Sequence, residues 1–184
     1  VLYLQSVKGY SLIDAGVAMS TYPIAGFFGA ILAGVISDRI FNADRNIPTL
    51  LYGLANISGF TLMFWGPQST VYDAVSLGLI GFSIGGLVVF LAGLNACDLM
   101  PKNAVGAIKG FIGLFSYIAA SAQELISAYL IQSSEVNGKV IYDFSQVKYF
   151  WIGSAILSTL LALTVWHAKP IVSVPTTIKN ENNG

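Results

Sequence analysis

Charge is what this chain of 184 residues has least of: Asp, Glu, Lys and Arg make up only 10% of it, and the nine basic residues cancel the nine acidic ones. An ordinary soluble domain carries about 25% charged residues. No basic run is present, so electrostatic attraction to nucleic acid or another acidic partner is not indicated. Cysteine is nearly absent too. Cys97 has no partner for an internal disulfide and no companion at metal-ligand spacing, and it reads as a small core residue. The sequence contains no P-loop, no metal constellation and no nucleophile-base arrangement, so an ATP-driven pump or a membrane enzyme lacks its machinery and no cofactor is expected. What fills the space is apolar: 55% of the residues are hydrophobic, and the mean hydropathy is +0.71. These values describe a membrane protein.

A helix needs about 20 mainly apolar residues to cross roughly 30 Å of hydrocarbon. Five segments meet that length, at about Leu12 to Ile36, Ile47 to Trp65, Ala74 to Leu99, Ala104 to Gln132 and Val147 to His167. Val1 to Gln5 read as the last turn of a preceding helix. The opening "VLYLQSVKGYSL" has neither an initiating methionine nor a signal-peptide pattern, as expected of a fragment of something longer. The expected organisation is a transmembrane unit over residues 1–168 and a polar tail over 169–184. "SSEVNGKVIYDFSQ", Ser133 to Gln146, is the longest connection.

Basic residues in short loops set orientation. Arg39, Arg45, Lys102, Lys169 and Lys179 fall on one side, against Lys8, Lys139 and Lys148 on the other. The Arg39 side is therefore expected to face the cytoplasm. Tyr3, Tyr10, Trp65, Tyr72, Tyr149, Trp151 and Trp166 lie near the expected helix ends, where amphipathic rings prefer the headgroup zone. His167, beside Trp166, reads as an interfacial anchor.

The loop "GVISDRIFNADRN" places Gly34 four residues before the Asp38-Arg39 pair, with Arg45 beyond. Such a loop suits a close helix approach and a salt-bridged turn. It resembles the corresponding loop of the major facilitator superfamily. That resemblance implies an all-α membrane protein, half of a twelve-helix fold, with five complete transmembrane helices and the end of a sixth. It further implies that Asp98, in "NACDLMPK", approaches this loop, where it either pairs with Arg39 as a gate or is solvated at the interface beside it.

A narrower resemblance lies in "GLNACDLMPKNAVGAIKGFIGLFSY", which is similar to the organophosphate:phosphate antiporters and their sensor relatives. The implied substrates are a sugar phosphate or glycerol phosphate and inorganic phosphate, exchanged across a bacterial inner membrane; the alternatives are a hexose-phosphate receptor of the same family and a facilitator of another small solute. The implied partners are the lipid bilayer and the missing first half of the transporter. In that family, arginines on the first and seventh helices hold the phosphate, and neither lies in this sequence. Two departures stand out. Pro23 takes a position where the family often has glutamate, and Lys109 sits one turn before the lysine of some hexose-phosphate members, where this chain has Ile112.

At about 100° per residue, Gly106, Gly110, Gly113, Tyr117, Ala120, Glu124 and Ala128 share one face of the fourth span, with Lys109 flanking it. Small residues mark helix contact in membranes, so this face is expected to pack on protein or border a water-filled path. Lys109 and Tyr117 are candidates for that path, as is Asn95, which alternatively caps its span. Glu124 is a candidate outer-gate residue or a packing group. For Lys109 two readings stand beside a structural ion pair. It meets substrate, or it snorkels to cytoplasmic water from about 9 Å inside the helix start.

Overall fold

A computed structural model describes residues 1–167 except Ala43, Met100, Lys102, Asn137 and Gly138. The expected tail, with Lys169 and Lys179, and the loop lysine Lys102 lie outside the described residues. Among those described, five helices are long and apolar enough to cross a membrane.

The chain begins with a short helix, α1 (Leu2–Ser6), and turns at Gly9, whose φ of 71° is a conformation that side chains with a Cβ rarely adopt. Helix α2 (Leu12–Ile40) follows. Its start is fixed by Ser11, whose Oγ accepts a 3.1 Å hydrogen bond from the Asp14 amide, and Asp14 adds negative charge to the positive end of the helix dipole. The helix runs past the expected end at Ile36. Asp38 and Arg39 therefore sit on its last turn and not in the loop, and a cation there complements the negative helix end.

Phe41 to Arg45 reverse the chain through Asn42, at φ 52°. The Asp44 side chain accepts from the Asn46 amide at 2.8 Å, which occupies the first amide of α3 (Asn46–Trp65). Gly66 and Pro67 end α3, and α4 (Thr70–Val88) returns. The helix then loosens into a π-helical stretch, Val89–Leu94, before resuming as α5 (Asn95–Leu99). A π turn adds a residue per turn and rotates everything after it relative to an unbroken α-helix. The faces presented by Asn95 and Asp98 are thereby reset. Cys97 is exposed in α5, contrary to the core position expected for it.

Helix α6 (Val105–Leu130) leads into an antiparallel hairpin, β1 (Gln132–Val136) and β2 (Lys139–Asp143), in which Gln132 faces Asp143. The longest connection is thus partly strand, an addition to the all-helical expectation. Helix α7 (Val147–Thr164) completes the described fold.

α4 is the central element, packed against α2 on one side and α3 on the other, and α7 lies on α3. α2 and α4 approach through glycine. A Cβ on Gly29 would fall on the carbonyl oxygen of Phe82, one on Gly81 on that of Tyr22, and one on Gly85 on that of Gly26. Backbone atoms cannot rotate out of the way, so only glycine permits this approach. Gly34, expected to serve such a contact, has nothing within 4 Å of its Cβ position. The seam lies earlier along α2.

Among the described residues, buried side-chain polar atoms are paired, as an apolar solvent requires. Asn56 Nδ2 donates to Ser83 Oγ at 3.0 Å and Ser83 Oγ to the Ile80 carbonyl at 2.9 Å. Tyr52 stacks on Phe82 at 5.2 Å between ring centroids and its hydroxyl reaches the Gly29 carbonyl at 3.3 Å. At the opposite end of the helices Tyr3, Leu4, Ala15, Leu77, Phe144 and Val147 form a second core. Tyr3, expected at the lipid interface, belongs to that core: its ring meets Phe64 and Phe144 edge-on, at 5.3 Å each.

Gly29→Ala is expected to destabilise the fold by about 1–3 kcal/mol through overpacking at the α2–α4 seam. Gly34→Ala is expected to stay within about 0.5 kcal/mol of the parent. Unfolding midpoints in detergent, measured side by side, check the contrast, and equal midpoints would refute the placement of the seam.

Candidate functional site

Charged groups gather at the two ends of the bundle. At the end where α2 turns into α3, Arg45 is the hub. Its Nε donates to Asp98 at 2.9 Å, and its Nη1 donates to Asp38 and, at 2.7 Å, to Ser37 Oγ. Ser37 Oγ in turn donates to the Asp44 carbonyl at 3.0 Å. The Arg45 side chain is only 14% exposed, whereas Asp38 and Asp98 are 59% and 45% exposed. Desolvation disfavours the guanidinium charge, but the hydrogen bonds and charges of Asp98 and Asp38 outweigh it and push the Arg45 pKa up. One arginine thereby joins the last turn of α2, the start of α3 and the helix that follows the π stretch.

Asp98 was expected to pair with Arg39, and the structure gives a different partner. Arg39 is exposed and forms no ion pair among the described residues. Because α2 continues as helix through Ile40, Arg39 is held on its last turn, while the reversal at Asn42 brings Arg45 back beneath α5. Asp38 and Arg45 do form the expected salt-bridged turn.

The second cluster lies at the other end and was not among the expected sites. Lys8 Nζ meets Asp73 Oδ1 at 2.9 Å, and the Tyr10 hydroxyl donates to Asp73 Oδ2 at 2.6 Å. Here burial is nearly complete: the Lys8 and Asp73 side chains are 4% and 1% exposed. Removing one partner of such a pair strands the other charge and costs about 3–5 kcal/mol. Burial, followed by the hydrogen bond to Asp73, raises the pKa of Tyr10, which therefore remains a donor at neutral pH. A lysine expected to mark a solvated loop, and an aspartate just before the expected start of its span, gave no sequence signal of their pairing.

The remaining candidates lie on or near α6. Lys109, Tyr117 and Glu124 are exposed, and Gly106, Gly110 and Gly113 have open space where a Cβ would be. Among the described residues, these glycines therefore meet no other helix. α6 is held mainly at its ends, with Ser127 Oγ accepting from Trp151 Nε1 of α7 at 2.8 Å. Asn95 is half-buried and lines a small recess with Asn46, Thr49, Thr159 and Trp166. It is not brought together with Lys109 or Tyr117 in that recess.

A bundle of membrane-length helices, a glycine seam and an arginine bridging the α2–α3 turn to α5 are features of a multi-pass membrane protein. The profile of the Major Facilitator Superfamily matches residues 1–123, and the chain belongs to that family. Among curated proteins it is similar to the glycerol-3-phosphate transporter of Bacillus subtilis, 34% identical over 168 residues, covering 90% of this chain and 36% of that protein. It is similar also to a probable hexose phosphate transport protein of Chlamydia trachomatis, at 31% over 172 residues, 91% of this chain and 35% of the relative. A third relative is the membrane sensor protein UhpC of Escherichia coli, 35% identical over 123 residues, 65% of this chain and 27% of the sensor. The chain thus spans about a third of the length of the relatives that match most of it. No solved structure gives a significant match. The protein is an integral membrane protein of that family.

Arg45→Gln and Asp98→Asn are expected to show a coupling of about 1 kcal/mol in a double-mutant cycle, the range of part-exposed ion pairs. The cycle with Arg39→Gln in place of Arg45→Gln is expected to give none. Denaturant titration in mixed micelles provides the four stabilities each cycle needs, and coupling through Arg39 instead would overturn the assignment.

Proposed function

We propose that residues 1–168 are the second transmembrane half of a secondary transporter that exchanges a sugar phosphate or glycerol phosphate for inorganic phosphate by alternating access. The observation that carries this reading is the similarity over most of the chain to a glycerol-3-phosphate transporter and a hexose phosphate transport protein. It is supported by the motif "GFIGLFSY" on α6 and by the Arg45 cluster at the end expected to face the cytoplasm. A phosphate ester carries about two negative charges, which hydrocarbon does not admit unless fixed cations and helix ends receive it.

α6 is the element of this chain on which such a path would border. Its glycine face is open, and Lys109 stands beside that face in the second turn, with Tyr117 further along. The first transmembrane half would cover this face. Arg45 with Asp38 and Asp98 then acts as an inner latch, holding the α2–α3 turn against α5 in one state and releasing it in the other.

The similarity to the membrane sensor protein UhpC favours a second reading, in which the same fold binds an external hexose phosphate and signals without moving it. Counterflow of labelled phosphate in proteoliposomes carrying the full-length protein is the expected result for exchange. Hexose-phosphate binding with no flux would assign the sensor role.

Lys109→Gln in the full-length protein is expected to raise the KM for an organophosphate several-fold with little change in expression, since a fixed cation is worth more in a water-poor path than at the surface. Lys109→Arg preserves the charge and is expected to retain more activity. An unchanged KM in Lys109→Gln would place the ammonium in cytoplasmic water and not on the substrate path.

A further inference from the structure

The buried cluster of Lys8, Tyr10 and Asp73 lies apart from the proposed inner latch and from α6. Both oxygens of one carboxylate are engaged, and both donors come from the single link between α1 and α2. Gly9 between them, at φ 71°, provides the turn that lets both side chains reach the start of α4. The backbone closes the same turn: the Tyr10 amide donates to the Leu4 carbonyl at 3.1 Å and the Val7 amide to that of Tyr3 at 2.9 Å. Two further contacts clamp α1 from other directions, since Tyr3 meets Phe64 of α3 and Phe144 at the base of the hairpin.

We propose that Asp73 is a positioning residue that, through Lys8 and Tyr10, locks α1 and its link to the start of α4. The outer end of this half then moves as one body. Opening the lock would separate a lysine and an aspartate in a site that excludes water, leaving each charge uncompensated. At the other end the carboxylates that pair with Arg45 are 59% and 45% exposed, so water can take the arginine's place on them at smaller cost. Flexing is accordingly confined to the Arg45 end, and α1 follows α4 as a rigid extension.

Chemical protection of Lys8 tests this without requiring transport activity. Detergent-solubilised full-length protein is acylated with a sulfonated N-hydroxysuccinimide ester, and modification of Lys8 and of half-buried Lys148 is followed over time by peptide mass spectrometry. Lys8 is expected to react about tenfold or more slowly than Lys148, as for a group reached only by local opening. Asp73→Asn is expected to remove most of that difference. Saturating inorganic phosphate is expected to leave Lys8 protected.

Equal rates for Lys8 and Lys148 in the parent protein would overturn the proposal, as would protection that survives Asp73→Asn. Acceleration of Lys8 by phosphate would show that the lock opens during the cycle, and would overturn it too. Only the phosphate comparison rests on the reading as an exchanger. If counterflow fails while Lys8 stays protected in phosphate-free buffer, that reading falls and the lock stands; where Asp73→Asn does not fold, the parent protein's two rates decide.

Discussion

In a solvent as apolar as leucine, helices gain nothing by hiding leucine from it, and so their association depends on how closely two backbones can approach. The contact between α2 and α4 through Gly26, Gly29, Gly81 and Gly85 answers that constraint, and the other elements are arranged around it. α4 then holds α3 on its opposite side with the paired polar atoms of Asn56 and Ser83 and with the Gly86 surface on which the Tyr52 ring lies. α7 is carried by α3. Among the described residues α6 has no such seam, and its glycines at 106, 110 and 113 stand open.

The two ends of this bundle differ in their electrostatics. At one, Arg45 is held by two part-exposed carboxylates, pairs that water can replace at small cost. At the other, Lys8 and Asp73 are almost wholly enclosed, and water cannot replace either partner. The two ends are joined through α4, which loosens into the π-helical stretch at Val89–Leu94.

Much of the architecture was legible from residue types. Apolar length marked all five spans, because the hydrocarbon thickness fixes how many residues a crossing helix needs. Boundaries were less legible where a helix extends into charged residues: Asp38 and Arg39 look like loop, yet the helix dipole accommodates Arg39 on the final turn. The hairpin at Gln132–Asp143 had a signal in Asn137-Gly138, a dipeptide favoured in tight strand reversals, but its polar flanks read as connection. A salt-bridged turn was expected of this loop, but its partners, Asp38 and Arg45, are seen only in the structure. Nor did the choice of Arg45 over Arg39 for Asp98 follow from the sequence, because it turns on the Asn42 reversal and on the rotation introduced by the π stretch.

By itself the sequence determined the solvent, the number of crossing helices and the family, since these depend on composition, run length and contiguous motifs such as "GLNACDLMPK" and "GFIGLFSY". Tertiary structure decided which glycines carry the helix contact, which arginine Asp98 meets and that Lys8 is buried against Asp73. Each of these is a relation between residues distant in the chain, fixed by the rotation and depth of whole helices. Local pattern constrains what a residue prefers, and only the packing of α1, α2 and α4 determines what it touches.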